Sequence, residues 1–184
     1  MSLKISVSGL AGSGKSSLVN AIVKKYGMTT ADVGQIFRQR AVAKGLTIAE
    51  YDTLVASNPQ EDVEMDNDFK QVVENCPGDI IVGRRMGFHL LPNIISIRLN
   101  VSPEQGAERV FLADRGKQEK KYATVEEALQ ANQDRMAKLR ERLLKLYGVD
   151  FTDMSHYMKI IDTTDKSFDQ VLEEFEEFMG TLKK

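Results

Sequence analysis

The sequence predicts an α/β domain in which helices cover both faces of a mostly parallel sheet. Short apolar runs typical of buried strands alternate with longer segments of helical periodicity, which is the pattern of strand–helix–strand units. The first apolar run ends in a glycine-rich turn that leads directly into a helix. The length of 184 residues suits one domain with a proper core, so we expect a single domain over residues 1–184.

Five strands are predicted from apolar runs bounded by glycine, proline or polar residues. They cover residues 3–8, 28–32, 79–83, 94–101 and 157–162. Seven helices are predicted between and after the strands. They cover residues 15–25, 35–44, 47–58, 62–74, a segment that begins at 102, residues 124–147 and residues 168–179.

Several of these boundaries have a local cause in the sequence. Thr47 and Glu50 have the spacing of a capping box, and Ser102 precedes a proline at the first helical position. Gly148 is placed to end the long helix. The polar and charged segment 114–122, which precedes that helix, predicts an exposed loop.

Composition and charge narrow the classes of function. The formal net charge of −2 argues against a general nucleic-acid-binding protein. Cys76 is the only cysteine, which excludes an internal disulfide and a cysteine-rich zinc site. No run approaches the roughly 20 apolar residues of a membrane span, and no signal-peptide pattern is present. We expect a cytoplasmic, monomeric enzyme with small-molecule substrates, and neither nucleic acid nor a membrane as a partner.

The glycine-rich turn has the spacing G-x-x-x-x-G-K-[ST] of a phosphate-binding loop, or P-loop. In order it contains Gly9, Leu10, Ala11, Gly12, Ser13, Gly14, Lys15 and Ser16, with Ser17 next. Glycines let backbone N–H groups turn toward a phosphate, and the helix N-terminus adds partial positive charge. We expect Lys15 to bridge the β- and γ-phosphates and the Ser16 hydroxyl to bind Mg²⁺. The motif predicts a bound nucleoside triphosphate without defining a reaction.

Among proteins with this loop, the remaining sequence favours a small kinase. A GTPase needs a guanine-reading N-K-x-D sequence after a strand, and none occurs. A motor or transporter ATPase needs a larger chain and an acid at the end of an apolar strand, whereas the third predicted strand ends in Gly83 and Arg84. Asp32 ends the second predicted strand, where it can hold a Mg²⁺-bound water or cap a helix.

A small kinase needs several arginines around one cleft, because it neutralises the phosphates of two substrates. Arg38 follows the second predicted strand, and Arg84 follows the third, at the sheet edge where open parallel sheets bind ligands. Arg135 and Arg142 are seven residues apart, so two turns bring them to nearly one helix face, about 10 Å apart along the axis. A solvated basic face is the alternative interpretation of that helix.

Taken in order, the motifs resemble those of the cytidylate kinases, above all the archaeal-type branch. They are G-L-A-G-S-G-K-S at 9–16, G-Q-I-F-R at 34–38, Asn58-Pro59 before an acidic helix, V-G-R-R-M-G at 82–87, Pro92-Asn93, Y-G-V-D at 147–150 and I-I-D-T-T at 160–164. The resemblance covers most of the chain, from Ile5 to about Thr164.

This resemblance implies a three-layer P-loop fold with a five-stranded sheet. It further implies a helical acceptor-binding insertion at about 35–76 and a short lid at about 114–135. The implied reaction moves the γ-phosphoryl group of ATP, with Mg²⁺, to a nucleoside monophosphate, CMP or dCMP. Arg109 is implied to lie against the adenine of ATP, and Thr163 to belong to the segment that lines it.

The arginines also receive roles by position. Arg38 and Arg84 match arginines that hold the phosphate of the acceptor. Arg135 and Arg142 match arginines of the lid helix that close on the transferring phosphoryl group. With Lys15, these side chains form the set that the resemblance implies for substrate binding and catalysis.

The chain departs from the family at the positions that read the base. Val82 stands where members usually carry an acid, and Leu139 replaces an acid on the lid helix. Arg85 stands where bacterial members have a cytosine-reading acid. As a candidate acceptor ligand it can pair with an acid or second phosphate of the acceptor, or instead with Asp62 or Asp66. A carboxylate accepts from the amino group of cytosine, and valine, leucine and arginine cannot.

Two alternatives therefore stay open. One is a kinase for another small metabolite, which the altered base-reading positions favour. The other is an ATP-binding regulatory protein that has lost transfer, which the missing acid at Val82 favours and the arginine set disfavours.

Overall fold

The computed structural model describes residues 2–31, 33–83, 86–113 and 122–182. Its sheet contains five strands in the order β2-β3-β1-β4-β5, and every described pairing is parallel. The strands are β1 (Lys4–Gly9), β2 (Thr29–Ala31), β3 (Ile80–Val82), β4 (Ile95–Asn100) and β5 (Lys159–Asp162). The predicted α/β fold with a parallel sheet is confirmed. Because β1 lies at the centre, the loop that follows it emerges at the middle of the carboxyl edge of the sheet.

Eight helices connect and flank the strands in the described part of the chain. They are α1 (Lys15–Tyr26), α2 (Val33–Ala43), α3 (Ile48–Ser57), α4 (Pro59–Glu74), α5 (Gly87–Leu90), α6 (Pro103–Leu112), α7 (Val125–Tyr147) and α8 (Phe168–Thr181). A single 3₁₀ turn, Met154–His156, precedes β5. The helices α2, α3 and α4 form the long connection between β2 and β3.

Side-chain caps explain most of the helix boundaries. Thr47 and Glu50 form the predicted capping box at the start of α3. Asn58 ends α3 and caps α4, since its side chain accepts from the backbone N–H of Gln60 at 3.1 Å. With Pro59 at the first helical position, this cap starts α4 three residues before the predicted start at residue 62. The one-turn helix α5 is an addition that the sequence pattern did not indicate.

The two faces of the sheet have different compositions. Alternate residues of β1 and β4, including Val7 and Leu99, are fully buried against α1 and α8. On the opposite face, Phe69 and Val73 of α4 pack against Ile80 and Val82 of β3, which are also fully buried. This second apolar cluster attaches the α2–α4 connection to the sheet.

We predict that Phe69→Ala lowers the free energy of unfolding by about 3–5 kcal/mol, because it leaves a cavity in the cluster between α4 and β3. Val72→Ala is the control, since Val72 lies on the same helix with 46% of its surface exposed; its effect should stay within about 0.5 kcal/mol. Chemical denaturation measures both. Equal effects from the two substitutions would contradict the packing of α4 on the sheet.

Candidate active site

The P-loop lies between β1 and α1, as the sequence predicts. Gly12 has φ +78° and Gly14 has φ +83°, backbone conformations that L side chains rarely adopt. Gly14 is the N-cap residue of α1. The N–H groups of the first turn of a helix have no partners within the helix, so the loop presents donors and the positive end of the α1 dipole to an anion.

Lys15 lies over this loop. Its Nζ atom donates to the backbone oxygen of Leu10 at 2.7 Å, and Ser13 Oγ donates to the same oxygen at 2.9 Å. Ser16 and Ser17 follow on the exposed side of the first turn of α1. The ammonium group of Lys15 is therefore already held against the backbone that surrounds the predicted phosphate position.

The loop also contacts α6 at a distance that leaves no room for a side chain. A Cβ atom on Gly12 would lie 2.2 Å from the backbone oxygen of Gly106, and one on Gly106 would lie 2.9 Å from the oxygen of Ala11. Real Cβ contacts do not occur at such distances, so both positions require glycine. The first turn of α6 thus restricts the conformation of the P-loop by direct backbone contact.

Arg109 and Thr163 lie side by side next to the loop. The guanidinium of Arg109 donates to the oxygens of Thr163 at 2.7 Å and Thr164 at 3.1 Å, and to the oxygen of Gly12 at 3.4 Å. The Thr163 hydroxyl donates to the oxygen of Asn100 at 2.9 Å. These contacts join α6, the end of β4 and the β5–α8 loop to the P-loop.

The two predicted arginines of α7 have different surroundings. Arg135 is exposed. Arg142 is half-buried, and its Nε atom lies 3.2 Å from Oδ2 of Asp62 on α4. Arg38 is exposed on α2. The remaining predicted residues Asp32, Arg84 and Arg85, together with residues 114–121 of the expected lid, lie outside the described residues.

The helix α4 carries two buried carboxylates to which the sequence analysis gave no role of their own. Asp62 and Asp66 each expose only 4% of their surface. Asp66 accepts a hydrogen bond of 2.6 Å from the hydroxyl of Tyr147, at the end of α7. Asp62, Asp66, Phe69 and Val73 have the spacing i, i+4, i+7 and i+11, which places all four on one helix face. This periodicity is the sequence feature that could have indicated that the two acids are buried.

A third carboxylate of α4, Glu61, ties the helices of the connection together. Lys44 lies 2.7 Å from Glu61 Oε1, Arg40 lies 3.6 Å from Oε2, and the buried Tyr51 donates to Oε2 at 3.0 Å. The hydrogen bond from Lys44 is the main cause that holds the pKa of Glu61 below its ordinary value, with support from Tyr51 and Arg40. Arg40 also pairs with Asp68 at 2.7 Å. This cluster is structural, because its contacts join α4 to α2, to α3 and, through Lys44, to the turn between them.

A cavity of about 240 Å³ lies between α3, α4 and α7. Apolar atoms form most of its wall, and the charged groups Asp62, Arg142 and Lys145 also line it. It therefore has the composition of a small-molecule site, which is mostly apolar with a few placed polar groups.

A buried polar group lies beneath the carboxyl edge of the sheet. Arg98 of β4, 3% exposed, donates to Asn100 Oδ1 at 2.9 Å and to the oxygen of Phe151 at 3.0 Å. The hydroxyl of Tyr157 donates to the same Phe151 oxygen at 2.7 Å and lies 3.2 Å from Ser8 Oγ. Sequence reasoning missed this group, since one arginine in an apolar strand has no distinctive spacing.

The positions that depart from the family pattern lie in apolar surroundings. Val82 is fully buried in the cluster with Phe69 and Leu91. Leu139 packs against the cluster of Met86, Leu143 and Phe151. At these two positions an apolar side chain packs in the core, whereas a buried carboxylate would need polar partners.

The described residues fit a Mg²⁺ ion that binds mainly through substrate phosphates, as in other P-loop proteins. Within the described residues no group of three or more histidine, cysteine or acidic side chains is arranged to hold a metal ion. Mg²⁺ keeps several waters and binds through substrate phosphates, so one hydroxyl at the position of Ser16 is a suitable protein ligand.

Among the described residues, no helix has the length and apolarity needed to span a membrane.

The fold and the loop define a P-loop kinase, and comparison with known proteins agrees. A family profile described as an AAA domain matches residues 8–130. Cytidylate kinase from Pyrococcus furiosus is 36% identical over 169 residues, which cover 92% of this chain and 84% of that protein. Cytidylate kinase from Pyrococcus abyssi is 35% identical over 162 residues, 88% of this chain and 85% of that protein. The chain belongs to the cytidylate kinase family.

A third relative is much longer than this chain. An S-adenosylmethionine-dependent nucleotide dehydratase from Lacinutrix mariniflava is 35% identical over 172 residues, 93% of this chain. The chain spans about a third of its length, 34%.

Solved structures support the fold. Shikimate kinase from Bacteroides thetaiotaomicron superposes with a TM-score of 0.65 at 15% identity, and 99% of each chain is covered. A gluconokinase from Sinorhizobium meliloti gives a TM-score of 0.61 at 15% identity, covering 98% of this chain and 93% of the other.

We predict that Gly12→Ala weakens ATP binding about tenfold or more, because the new methyl group would overlap the backbone of Gly106 and displace the loop. Gly27→Ala is the matched control. It carries the same backbone cost at φ +66°, with no atom within 4 Å of the added group. Isothermal titration calorimetry with ATP measures the affinity of both variants, and thermal unfolding confirms that both fold. Equal ATP affinities would disprove the close packing of the loop on α6.

Proposed function

We propose that the chain transfers the γ-phosphoryl group of ATP to a nucleoside monophosphate, with CMP and dCMP as acceptors. The observation that carries the proposal is the P-loop, in which Lys15, the first residue of α1, donates to the backbone oxygen of Leu10 at 2.7 Å. The names of the Pyrococcus relatives support a cytidylate acceptor. The name of the longer relative also points to a nucleotide.

On the donor side, the triphosphate is bound by the N–H groups of the P-loop, Lys15 and the first turn of α1. The Ser16 hydroxyl would hold Mg²⁺ together with the phosphates, and the ion would supply charge neutralisation at the transferring group. Arg109 and Thr163 form the adjoining surface for adenine, since their contacts hold that surface rigidly against the loop. Asp32 is proposed to orient a water near the metal.

On the acceptor side, the insertion at about 35–76 binds the monophosphate. Arg38 and Arg84 neutralise its phosphate, and Arg85 adds a further positive group. A phosphate oxygen is already a nucleophile at neutral pH, so transfer requires no general base. What it requires is alignment of two anions whose mutual repulsion is offset by fixed positive charges.

The lid, at about 114–135, continues into α7, which connects the two sides. The helix α7 packs beside α6, the helix that contacts Gly12, and Tyr147 in its last turn reaches α4. Closure brings Arg135 and Arg142 onto the transferring group and excludes water, which would otherwise accept the phosphoryl group.

A kinase for another small metabolite is the second candidate. Val82 and Leu139 in apolar clusters favour it, because these positions no longer offer carboxylates to a base. The fold alone accommodates such acceptors, as the names of the shikimate kinase and gluconokinase neighbours illustrate. An acceptor panel separates the two candidates.

We predict that CMP and dCMP are better acceptors than UMP, AMP, shikimate and gluconate in steady-state phosphoryl transfer. Lys15→Ala should lower kcat for the best acceptor about 100-fold or more, because it removes a fixed charge from the transferring phosphate. Lys24→Ala, an exposed lysine of the same helix, is the control and should leave the rate unchanged. Unchanged transfer by Lys15→Ala would contradict the kinase assignment. Tight ATP binding without transfer to any acceptor would favour a regulatory protein.

We predict different kinetic effects for arginines on the two sides of the reaction. Arg84→Ala should chiefly raise the KM for the acceptor, whereas Arg135→Ala should chiefly lower kcat, because it acts on the transferring group. Arg140→Ala is the control on α7, since Arg140 forms an exposed ion pair with Asp150 at 2.9 Å and such pairs contribute little. Equal changes of KM and kcat in both test variants would refute this division of roles.

A further inference from the structure

Arg98 of β4 is a buried arginine whose hydrogen-bond partners are all neutral. Only 3% of its surface is exposed. Its Nε atom donates to Asn100 Oδ1 at 2.9 Å, and its Nη1 atom donates to the backbone oxygen of Phe151 at 3.0 Å and to the Tyr157 hydroxyl at 3.4 Å. No acidic side chain among the described residues pairs with this guanidinium. Its positive charge is therefore not compensated by a negative one in that part of the chain.

A buried charge without a counter-ion is costly, because neutral hydrogen-bond acceptors replace the lost hydration only in part. Two less buried arginines, Arg40 and Arg142, each lie beside a carboxylate of α4. An apolar side chain of similar size in place of a buried charge often leaves a fold equally stable or more stable. The stability of the fold therefore explains the charge of Arg98 poorly, whereas a bound anion would supply the missing negative charge.

The position of Arg98 relates its charge to the P-loop. Arg98 is the register partner of Ser8 on the neighbouring strand β1, and Ser8 directly precedes Gly9, the first glycine of the loop. The Tyr157 hydroxyl accepts from Arg98 and lies 3.2 Å from Ser8 Oγ. A single hydroxyl group thus separates the guanidinium from Ser8. A phosphate in the loop lies a few residues beyond Ser8, at a distance of about 10 Å.

We propose that the buried charge of Arg98 increases the affinity of the P-loop for a triphosphate without touching it. This inference rests on the ATP-binding part of the proposed function. Because the guanidinium is buried, salt screens its field much less than the field of an exposed side chain. At about 10 Å and an effective dielectric constant of about 20, one unit charge changes the binding constant of another on the order of tenfold.

The test is the dissociation constant for ATP, measured at pH 6.5 by isothermal titration calorimetry for the wild type and two neutral variants, Arg98→Met and Arg98→Gln. Each neutral variant should bind ATP about tenfold more weakly. Its melting temperature should not fall by more than about 3 °C, because removal of the uncompensated charge offsets the lost hydrogen bonds. Two replacements of different polarity keep the test decisive if one of them fails to fold.

Two further variants separate the charge from the packing. Arg98→Lys keeps a positive charge and should bind ATP within about threefold of the wild type. The low pH favours the charged form of this variant, since burial lowers the pKa of an ammonium group. Tyr157→Phe keeps the guanidinium and the ring, whose centroid lies 5.3 Å from the Arg98 Cζ atom, but removes the hydroxyl between Arg98 and Ser8. It should also bind ATP within about threefold of the wild type.

Unchanged ATP affinity in the neutral variants overturns the proposal. Binding by Arg98→Lys or by Tyr157→Phe that is as weak as in the neutral variants also overturns it, because the effect then belongs to the shape of the buried group and not to its charge. None of these measurements needs phosphoryl transfer. A wild type that binds ATP independently of Arg98 contradicts this inference alone, whereas a wild type that does not bind ATP contradicts the proposed function as well.

Discussion

The close contact between Gly12 of the P-loop and Gly106 of α6 is the constraint on which the rest of the site depends. A Cβ atom on Gly12 would lie only 2.2 Å from the facing oxygen, so the contact leaves no space for any side chain. It holds the loop in a conformation with positive φ angles that would otherwise be one of many accessible to glycine. Arg109, one turn along α6, then bonds to the loop and to Thr163. The phosphate-binding backbone is thus ordered before a nucleotide arrives.

The position of α7 follows from this arrangement. Because α6 is fixed against the P-loop and α7 packs on α6, the position of α7 is set relative to the P-loop. The end of α7 is in turn attached to α4 by the contacts of Arg142 with Asp62 and of Tyr147 with Asp66. One helix of 23 residues therefore connects α6, which contacts the P-loop, with α4 of the long connection between β2 and β3.

The sequence predicted the parts of the molecule that depend on local rules. The P-loop has a fixed spacing, and the capping box of Thr47 and Glu50 has a fixed pattern, so both were found with their correct positions. The start of α4 was placed three residues late, since the cap of Asn58 followed by Pro59 was interpreted as the end of α3 alone. The contacts between distant elements were not predictable. Nothing local to Asp62 or Arg98 reveals that Arg142 approaches the first or that Phe151 and Tyr157 surround the second.

The three buried carboxylates of α4 have different partners within the fold. Glu61 is surrounded by Arg40 of α2, Tyr51 of α3 and Lys44 of the turn between them, so its interactions are used within the fold. Asp66 is likewise engaged by a hydroxyl. Asp62 differs, because it meets a half-buried arginine at the wall of a cavity. Arginine has five N–H donors in a planar group, so Arg142 can contact Asp62 through one of them while other donors bind a second acceptor. The ion pair of Asp62 and Arg142 therefore joins α4 to α7 and also forms part of the cavity wall.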